Sequence, residues 1–290
     1  RGYRYRFERA FKMTAANPLV TICIPQWQVR EMITLCLRAI RKHTPKIPIE
    51  VIVVDNGSQD DSLDYLRSLK WIRLIERGAS TPDFWVKAFI TALDLGFQQC
   101  RSEYFMIMHS DTIVKHDGWL ERMLAPFQND PLCAASGAWK LEPPRPVYEL
   151  IKSITDTKKA NLWFRRNLLG QEQARQLARE LCPRDYCALY RAEPIRKHGL
   201  LFNEEEKYRR YTTAERMYYQ LKTHGYHAQV IDTLEMMQYM EHLAHGTAAL
   251  RPQDRRLHHW RTQKKGERRL RRLFNMPFIQ ELANNTSLDK

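Results

Sequence analysis

Apolar runs that stop abruptly at polar residues recur along this chain. Val51, Ile52, Val53 and Val54 lead into Asp55, Asn56, Gly57 and Ser58, and Tyr104, Phe105, Met106, Ile107 and Met108 lead into His109, Ser110 and Asp111. A short continuous apolar run bounded in this way reads as a strand buried on both faces. It delivers its last side chains to the carboxyl edge of a parallel sheet, where open α/β folds bind ligands. Function is therefore expected at that edge.

Helix-like and strand-like segments alternate around these two runs. Residues 19–24 read as a strand, and 28–43 set Val29, Ile33, Leu37 and Ile40 on one helical face. After the strand 51–54, Asp60 or Asp61 caps a helix carrying Leu63, Leu66 and Leu69. A third strand over 71–75, a helix over 84–99, a fourth strand over 104–108 and a helix over 117–127 continue the alternation. A parallel α/β fold follows. Beyond it the pattern loosens. Residues 134–139 read as a strand, 150–180 as helices rich in Arg, Lys and Gln, 185–190 as a short strand, 213–224 as a helix closed by Gly225, and 226–232 as a strand.

Composition narrows the class. At 290 residues, 43% apolar and 28% charged, the chain has an ordinary globular balance, and no run approaches the ~18 apolar residues of a membrane span. The start, Arg1 to Arg6, has no apolar signal-peptide core behind it. Cys23, Cys36, Cys100, Cys133, Cys182 and Cys187 form no C-x-x-C pair and fall mostly in apolar or helix-like segments, so reduced core thiols and a cytoplasmic location are expected. The net charge of +14 is concentrated at the ends: residues 1–12 carry five Arg/Lys against one Glu, and residues 251–290 carry eleven against four acids. The chain divides accordingly into a basic extension (1–17), a first half (18–127), a second half of the same domain (128–250) and a basic helical tail (251–290). In the tail, Arg268, Arg269, Arg271 and Arg272 stand beside Leu270, Leu273, Phe274 and Phe278. That amphipathic pattern suits a membrane surface at the cytoplasmic face, a partner, or a solvated face.

In order and spacing, these residues resemble the family 2 glycosyltransferases of GT-A fold. The resemblance rests on Ile24 and Pro25 ending a strand, then a helix, then Val54, Asp55, Asn56, Gly57 and Ser58 with Asp60 and Asp61 following, then Ala92, Asp94 and Gly96, then His109, Ser110, Asp111 and Thr112. It is clear over 19–127 and weaker to about 250. It implies a single GT-A-type domain, α/β with a mixed, mostly parallel central sheet flanked by helices, with a nucleotide-sugar-binding half at 18–127 and an acceptor-binding half at 128–250. The implied activity is inverting transfer of a sugar from a nucleoside-diphosphate donor to a hydroxyl of a saccharide, lipid-linked glycan or small molecule, within polysaccharide biosynthesis.

The departing diphosphate gains negative charge as the glycosidic bond breaks, so a cation must meet it. In the family this is Mn²⁺ or Mg²⁺ held by the last Asp of Asp-x-Asp, which corresponds to Asp111. The resemblance further implies that Asp55 accepts hydrogen bonds from the nucleobase, that Pro25, Gln26 and Trp27 line the base pocket with Asn56, and that His109 and Ser110 approach the ribose. Asp55 read alone is equally a strand-end turn with Asn56 and Gly57. His109 stands where the family has its first acid, and either ligates the cation or bonds the ribose. A later His completes the metal site in many members; of His242 and His245, His245 is preferred for the Gly246-Thr247 that follows it. Inversion needs a carboxylate base. The family's acidic pair falls on Thr213 and Ala214, so Glu215 is the nearest candidate, with Glu204, Glu205 and Glu206 as alternatives.

Two other function classes compete. A nucleotidyltransferase would need a Gly-rich, Lys-containing phosphate loop after Ile24, where Pro25, Gln26 and Trp27 stand instead. A non-catalytic binder of nucleic acid or acidic glycans on an inactive scaffold would use the basic ends and the seven tryptophans. No helix-turn-helix, zinc-finger or RNP-type motif supports nucleic acid. Trp139, Trp163, Arg165 and Arg166 are candidates for acceptor contact or for packing alone.

Overall fold

The computed structural model describes residues 18–78, 85–139, 141, 181–204, 211–243, 246–250 and 260–290. The expected helices over 150–180, the basic extension 1–17, and Trp163, Arg165, Arg166, Glu205, Glu206 and His245 lie outside the described residues.

In chain order the strands are β1 (Val20–Gln26), β2 (Ile49–Asp55), β3 (Ile72–Glu76), β4 (Tyr104–Met108), β5 (Thr112–Val114), β6 (Cys133–Ala138), β7 (Cys187–Arg191), β8 (His227–Ile231) and β9 (Met240–His242). Seven of them form one sheet in the order β3-β2-β1-β4-β7-β6-β8, while β5 and β9 pair in a separate two-stranded sheet. The first four strands are mutually parallel, β7 runs antiparallel to both neighbours, and β6 and β8 are parallel. The α-helices are α1 (Arg30–His43), α2 (Ser62–Ser68), α3 (Trp85–Gln99), α4 (Trp119–Gln128), α5 (Ala192–Lys197), α6 (Thr213–Thr223), α7 (Thr233–Tyr239), α8 (Gly246–Leu250), α9 (Trp260–Phe274) and α10 (Pro277–Asn284). This is the α/β fold expected from the alternation, with the mixed, mostly parallel sheet that the resemblance implies.

Alternation of side chains along the strands divides the core in two. Ile22, Ile24, Val51, Val53, Met106 and Met108 pack with the buried face of α1, whereas Cys23, Ile52, Val54, Phe105 and Ile107 pack with Ile90 and Leu93 of α3. Because both faces are covered, the strands need no polar side, which explains their unbroken apolar runs. Helix α3 approaches β1 so closely that a Cβ on Gly96 would lie 2.3 Å from the Cys23 sulfur. All six cysteines are buried, and no disulfide joins any two of them.

The tail belongs to this core. Ile279 and Leu282 of α10 and Leu273 of α9 are buried, and Leu270, Phe274 and Phe278 pack against the α1 side of the sheet. The apolar stripe that suited a membrane or a partner is thus covered by the domain itself. Arg38 of α1 holds the chain end: its guanidinium donates to both carboxylate oxygens of Asp289 (2.8 and 2.5 Å) and to the carbonyls of Leu282 and Ala283 (2.9 and 2.5 Å). Among the described residues, no helix is long and apolar enough to cross a membrane.

Candidate active site

Strand register brings the chemistry to one edge. Gln26 pairs with Asp55 and Asp55 with Glu76, so β1, β2 and β3 end level with one another. On the other side of β1, β4 releases His109 to Asp111 beyond its last residue, Met108. Both apolar runs therefore deliver their polar ends to the carboxyl edge of the parallel strands.

The carboxylate of Asp55 is buried and bound within its own turn. Oδ2 accepts from the backbone N–H of Gly57 (3.0 Å) and Ser58 (2.9 Å), and Oδ1 accepts from the Ser58 hydroxyl (2.5 Å). This is the strand-end turn that the local sequence allows, and it shapes the edge whether or not Asp55 also meets a ligand. Ser58 extends the network by accepting from the Gln28 N–H at 2.7 Å, and Asp60 Oδ2 accepts from the Val29 N–H at 2.7 Å. Asp60 also accepts from the Ser62 N–H (3.2 Å) and hydroxyl, while Asp61 takes the N-cap position of α2 without a side-chain cap bond and pairs with Arg30 at 2.6 Å.

These bonds hold an unfavourable backbone. Gln28 and Val29 have φ of 53° and 62°, a left-handed conformation that is costly for a β-branched residue. The helix expected from residue 28 consequently begins at Arg30. The preceding loop carries Gln26, whose amide donates to the Gln28 carbonyl, and the Oε1 atoms of Gln26 and Gln28 are buried without a hydrogen-bond partner. Asn56 accepts at its Oδ1 from Arg77 (2.6 Å), a cation placed just past β3 that the sequence pattern did not flag. Trp27 is half-buried in the same loop.

Across β1 from this loop stands a second cluster. Among the described residues, His109, Asp111 and His242 offer ligand atoms that all lie within 4.8 Å of one another. Asp111 Oδ1 is 3.3 Å from His242 Nε2 and 3.7 Å from His109 Nδ1, and Oδ2 accepts from the Gly246 N–H at 3.0 Å. His242 arrives through the pairing of β9 with β5, which sets it opposite Thr112; the Leu243 N–H then donates to the Asp111 carbonyl at 3.0 Å. The Tyr186 ring stacks on His242 at 4.7 Å, and Phe89 meets His109 edge-on at 5.0 Å. Ser110, between the two ligand-bearing residues, is half-buried.

Burial alone would raise the Asp111 carboxyl, but the facing His242 imidazole, then His109 and the Gly246 N–H, outweigh it and hold it well below the usual carboxylate range. The group is a carboxylate at neutral pH. Nε2 of His242 is buried and makes no hydrogen bond despite its nearness to Oδ1. An ionised oxygen, an unbonded ring nitrogen and a second imidazole fit a divalent cation. Of the two histidines considered from sequence, His242 is the one the structure brings here; the preferred His245 lies outside the described residues. The alternation that puts Met240 inward in a short strand was the available signal for His242.

Glu215 occupies a different environment from that of a base. It is fully buried at the start of α6, where Oε2 accepts from the N–H and hydroxyl of Thr212 (2.9 and 3.0 Å) and Oε1 pairs with Arg184 at 3.0 Å. Thr212 and Glu215 thereby form a reciprocal helix cap. Arg184 also lies over the ring of Trp139, with its guanidinium carbon 4.6 Å from the centroid. Glu204, the one described member of the alternative trio, is half-buried. Asp94, standing where the family pattern has Asn, accepts from the N–H groups of Phe202 (2.8 Å) and Asn203 (3.1 Å), a role in holding that loop.

The profile of glycosyl transferase family 2 matches residues 21–199. The chain belongs to this family. Among curated proteins, the glycosyltransferase AglE of Haloferax volcanii is 45% identical over 56 residues, which are 19% of this chain and 18% of AglE. Among solved structures, the mannosyltransferase PcManGT from Pyrobaculum calidifontis, in complex with GDP-Man and Mn²⁺, superposes with a TM-score of 0.52 at 18% identity, covering 75% of this chain and 56% of that one. TarS 1–349 of S. aureus aligns over 93% of this chain and 74% of its own, at 14% identity and a TM-score of 0.48. The chain thus spans under a fifth of AglE and just over half of PcManGT, and the likeness to PcManGT shows the GT-A fold.

Proposed function

We propose that this chain is an inverting glycosyltransferase, assisted by a divalent cation, that moves a sugar from a nucleoside-diphosphate donor to a hydroxyl of a saccharide, lipid-linked glycan or small-molecule acceptor. The observation that carries this is the ionised Asp111 between two imidazoles, one strand away from the Gln26–Asp55 edge, in a family 2 fold. His109, Asp111 and His242 would hold the cation, and two ring nitrogens in the set favour Mn²⁺ over Mg²⁺, which prefers oxygen ligands. Bound there, it would supply Lewis-acid neutralisation of the charge that grows on the diphosphate.

The remaining roles fall to the chain itself. The 26–30 loop, kept in a left-handed turn by Ser58 and Asp60, shapes the nucleobase pocket. Asn56, fixed by Arg77, closes that side, and Ser110 stands where the ribose would lie. PcManGT binds GDP-Man and Mn²⁺, which makes GDP the first nucleotide to try.

A thermal-shift panel of UDP, GDP, CMP and dTDP, each with and without Mn²⁺, tests the proposal, because a ligand of the native state raises Tm by mass action. One nucleotide should raise Tm more with Mn²⁺ than without, and Asp111→Asn should lose the increment. No shift with any nucleotide would overturn it.

A further inference from the structure

We propose that Asp185 is the carboxylate base of the transfer reaction, supplied by the turn before β7 in place of an acid on α6. The inference rests on the function proposed above and adds the residue that would take the acceptor proton.

Where the family resemblance puts an acidic pair, α6 carries Thr213 and Ala214. The structure places a carboxylate against that same spot: the Ala214 N–H donates to Asp185 Oδ1 at 3.0 Å. The first turn of a helix favours an anion and, through this bond, fixes the orientation of the group. Asp185 is half-buried, and its Oδ2 accepts no hydrogen bond among the described residues, so one oxygen is anchored and the other is uncommitted. Glu215 has the opposite character, being fully buried with both oxygens engaged by Thr212 and Arg184. Arg184 donates to Glu215.

Position relative to the cation cluster supports the assignment. Asp185 immediately precedes Tyr186, whose carbonyl accepts from the His109 N–H (3.1 Å) and the Thr112 hydroxyl (3.0 Å) and whose ring stacks on His242. Because β7 runs antiparallel to β4, the start of β7 lies at the carboxyl edge, beside the end of β4. One backbone segment therefore fixes the cluster and carries the carboxylate. In the reaction, the acceptor oxygen forms a bond to the anomeric carbon as its proton passes to Asp185 Oδ2. The bond from the anomeric carbon to the diphosphate oxygen breaks, and its electron pair leaves with the nucleoside diphosphate.

The test compares wild type, Asp185→Asn and Glu215→Gln in Mn²⁺-dependent release of nucleoside diphosphate from GDP-mannose, UDP-glucose and UDP-N-acetylglucosamine, with water as acceptor. The Mn²⁺-dependent Tm shift with the matching nucleoside diphosphate is measured alongside. Asn keeps the oxygen that accepts from Ala214, so Asp185→Asn should retain the nucleotide Tm shift and lose about two to four orders of magnitude in kcat. Glu215→Gln should melt earlier yet turn over within a few-fold of wild type below its melting temperature. Wild-type kcat in Asp185→Asn, or a larger kcat loss in Glu215→Gln than in Asp185→Asn at equal nucleotide binding, would overturn the assignment alone. A wild type that neither binds a nucleotide nor cleaves a donor would overturn the function proposed above and this assignment with it.

Discussion

Gly246→Ala separates the role of Asp111 as a ligand from its role in packing. Gly246 opens α8, and a Cβ there would lie 3.0 Å from Asp111 Cβ, 3.0 Å from Leu243 Cδ2 and 3.2 Å from Asp111 Oδ2. Unstrained carbon pairs sit about 3.5–4.0 Å apart, so Asp111 or α8 must retreat by roughly half an ångström. Asp111 has little room, because its carbonyl is bound by the Leu243 N–H and its side chain is buried. Overpacking of this kind costs about 1–3 kcal/mol, while Ala in place of Gly in a helix recovers about 1 kcal/mol. The net loss of stability is then about 0–2 kcal/mol, a Tm decrease on the order of a few degrees for a chain of this size. The proposed cation site is more sensitive. The same half-ångström displaces a carboxylate set between two imidazoles and lengthens its hydrogen bond from the residue 246 N–H, and loss of ligand orientation typically costs about 10–100-fold in metal affinity. Isothermal titration of Mn²⁺ in the presence of GDP, or of whichever nucleotide the panel selects, would measure it. A folded Gly246→Ala protein with wild-type Mn²⁺ affinity would refute the placement of the cation on Asp111.

Two further variants probe the frame around the site. Ser58→Ala removes the acceptor for the Gln28 N–H and a donor to Asp55; it should cost about 1–3 kcal/mol of stability and raise the donor KM several-fold with kcat nearly unchanged, and an unchanged KM would show that the left-handed loop is held without Ser58. Arg38→Ala breaks the anchor of the chain end and should cost on the order of 3 kcal/mol, the low end for a buried pair because Asp289 keeps some contact with water. Burial works to raise the Asp289 carboxyl, but Arg38 and Tyr65 bring it below its ordinary value. A depressed carboxyl stabilises fully above its unfolded pKa and is lost as pH falls through the folded one, so wild type should lose this contribution below about pH 4. In Arg38→Ala that part of the acid limb should flatten; identical acid unfolding curves would assign the limb to other carboxylates.

Much of the architecture was legible along the chain because strands covered on both faces cannot hide their apolar runs. The strand over 104–108 is found at those residues, and the neighbouring elements begin and end within a few positions of where periodicity places them. Boundaries moved where side chains override periodicity, as at Gln28 and Val29, whose backbone is set by Ser58 and Asp60 some thirty residues away. The placement of Asp55 and Asp111 at the carboxyl edge was legible, since each follows an apolar run that ends there. The antiparallel direction of β7 and the small β5–β9 sheet carried no comparable mark.

By itself, then, the sequence determined the fold class, the sheet edge where the polar run-ends gather and the place of Asp111 on it, because each depends on local periodicity and on where an apolar run stops. Only the tertiary structure decided which distant groups share that edge. It paired His242 with Asp111 across 131 positions, bound Glu215 to Arg184 and Thr212, laid Asp185 on the N–H of Ala214, and covered the apolar stripe of the tail with the face of α1. Those outcomes depend on strand pairing and on which buried polar groups find partners. Spacing along a chain cannot encode them, because the partners are set by how whole layers pack.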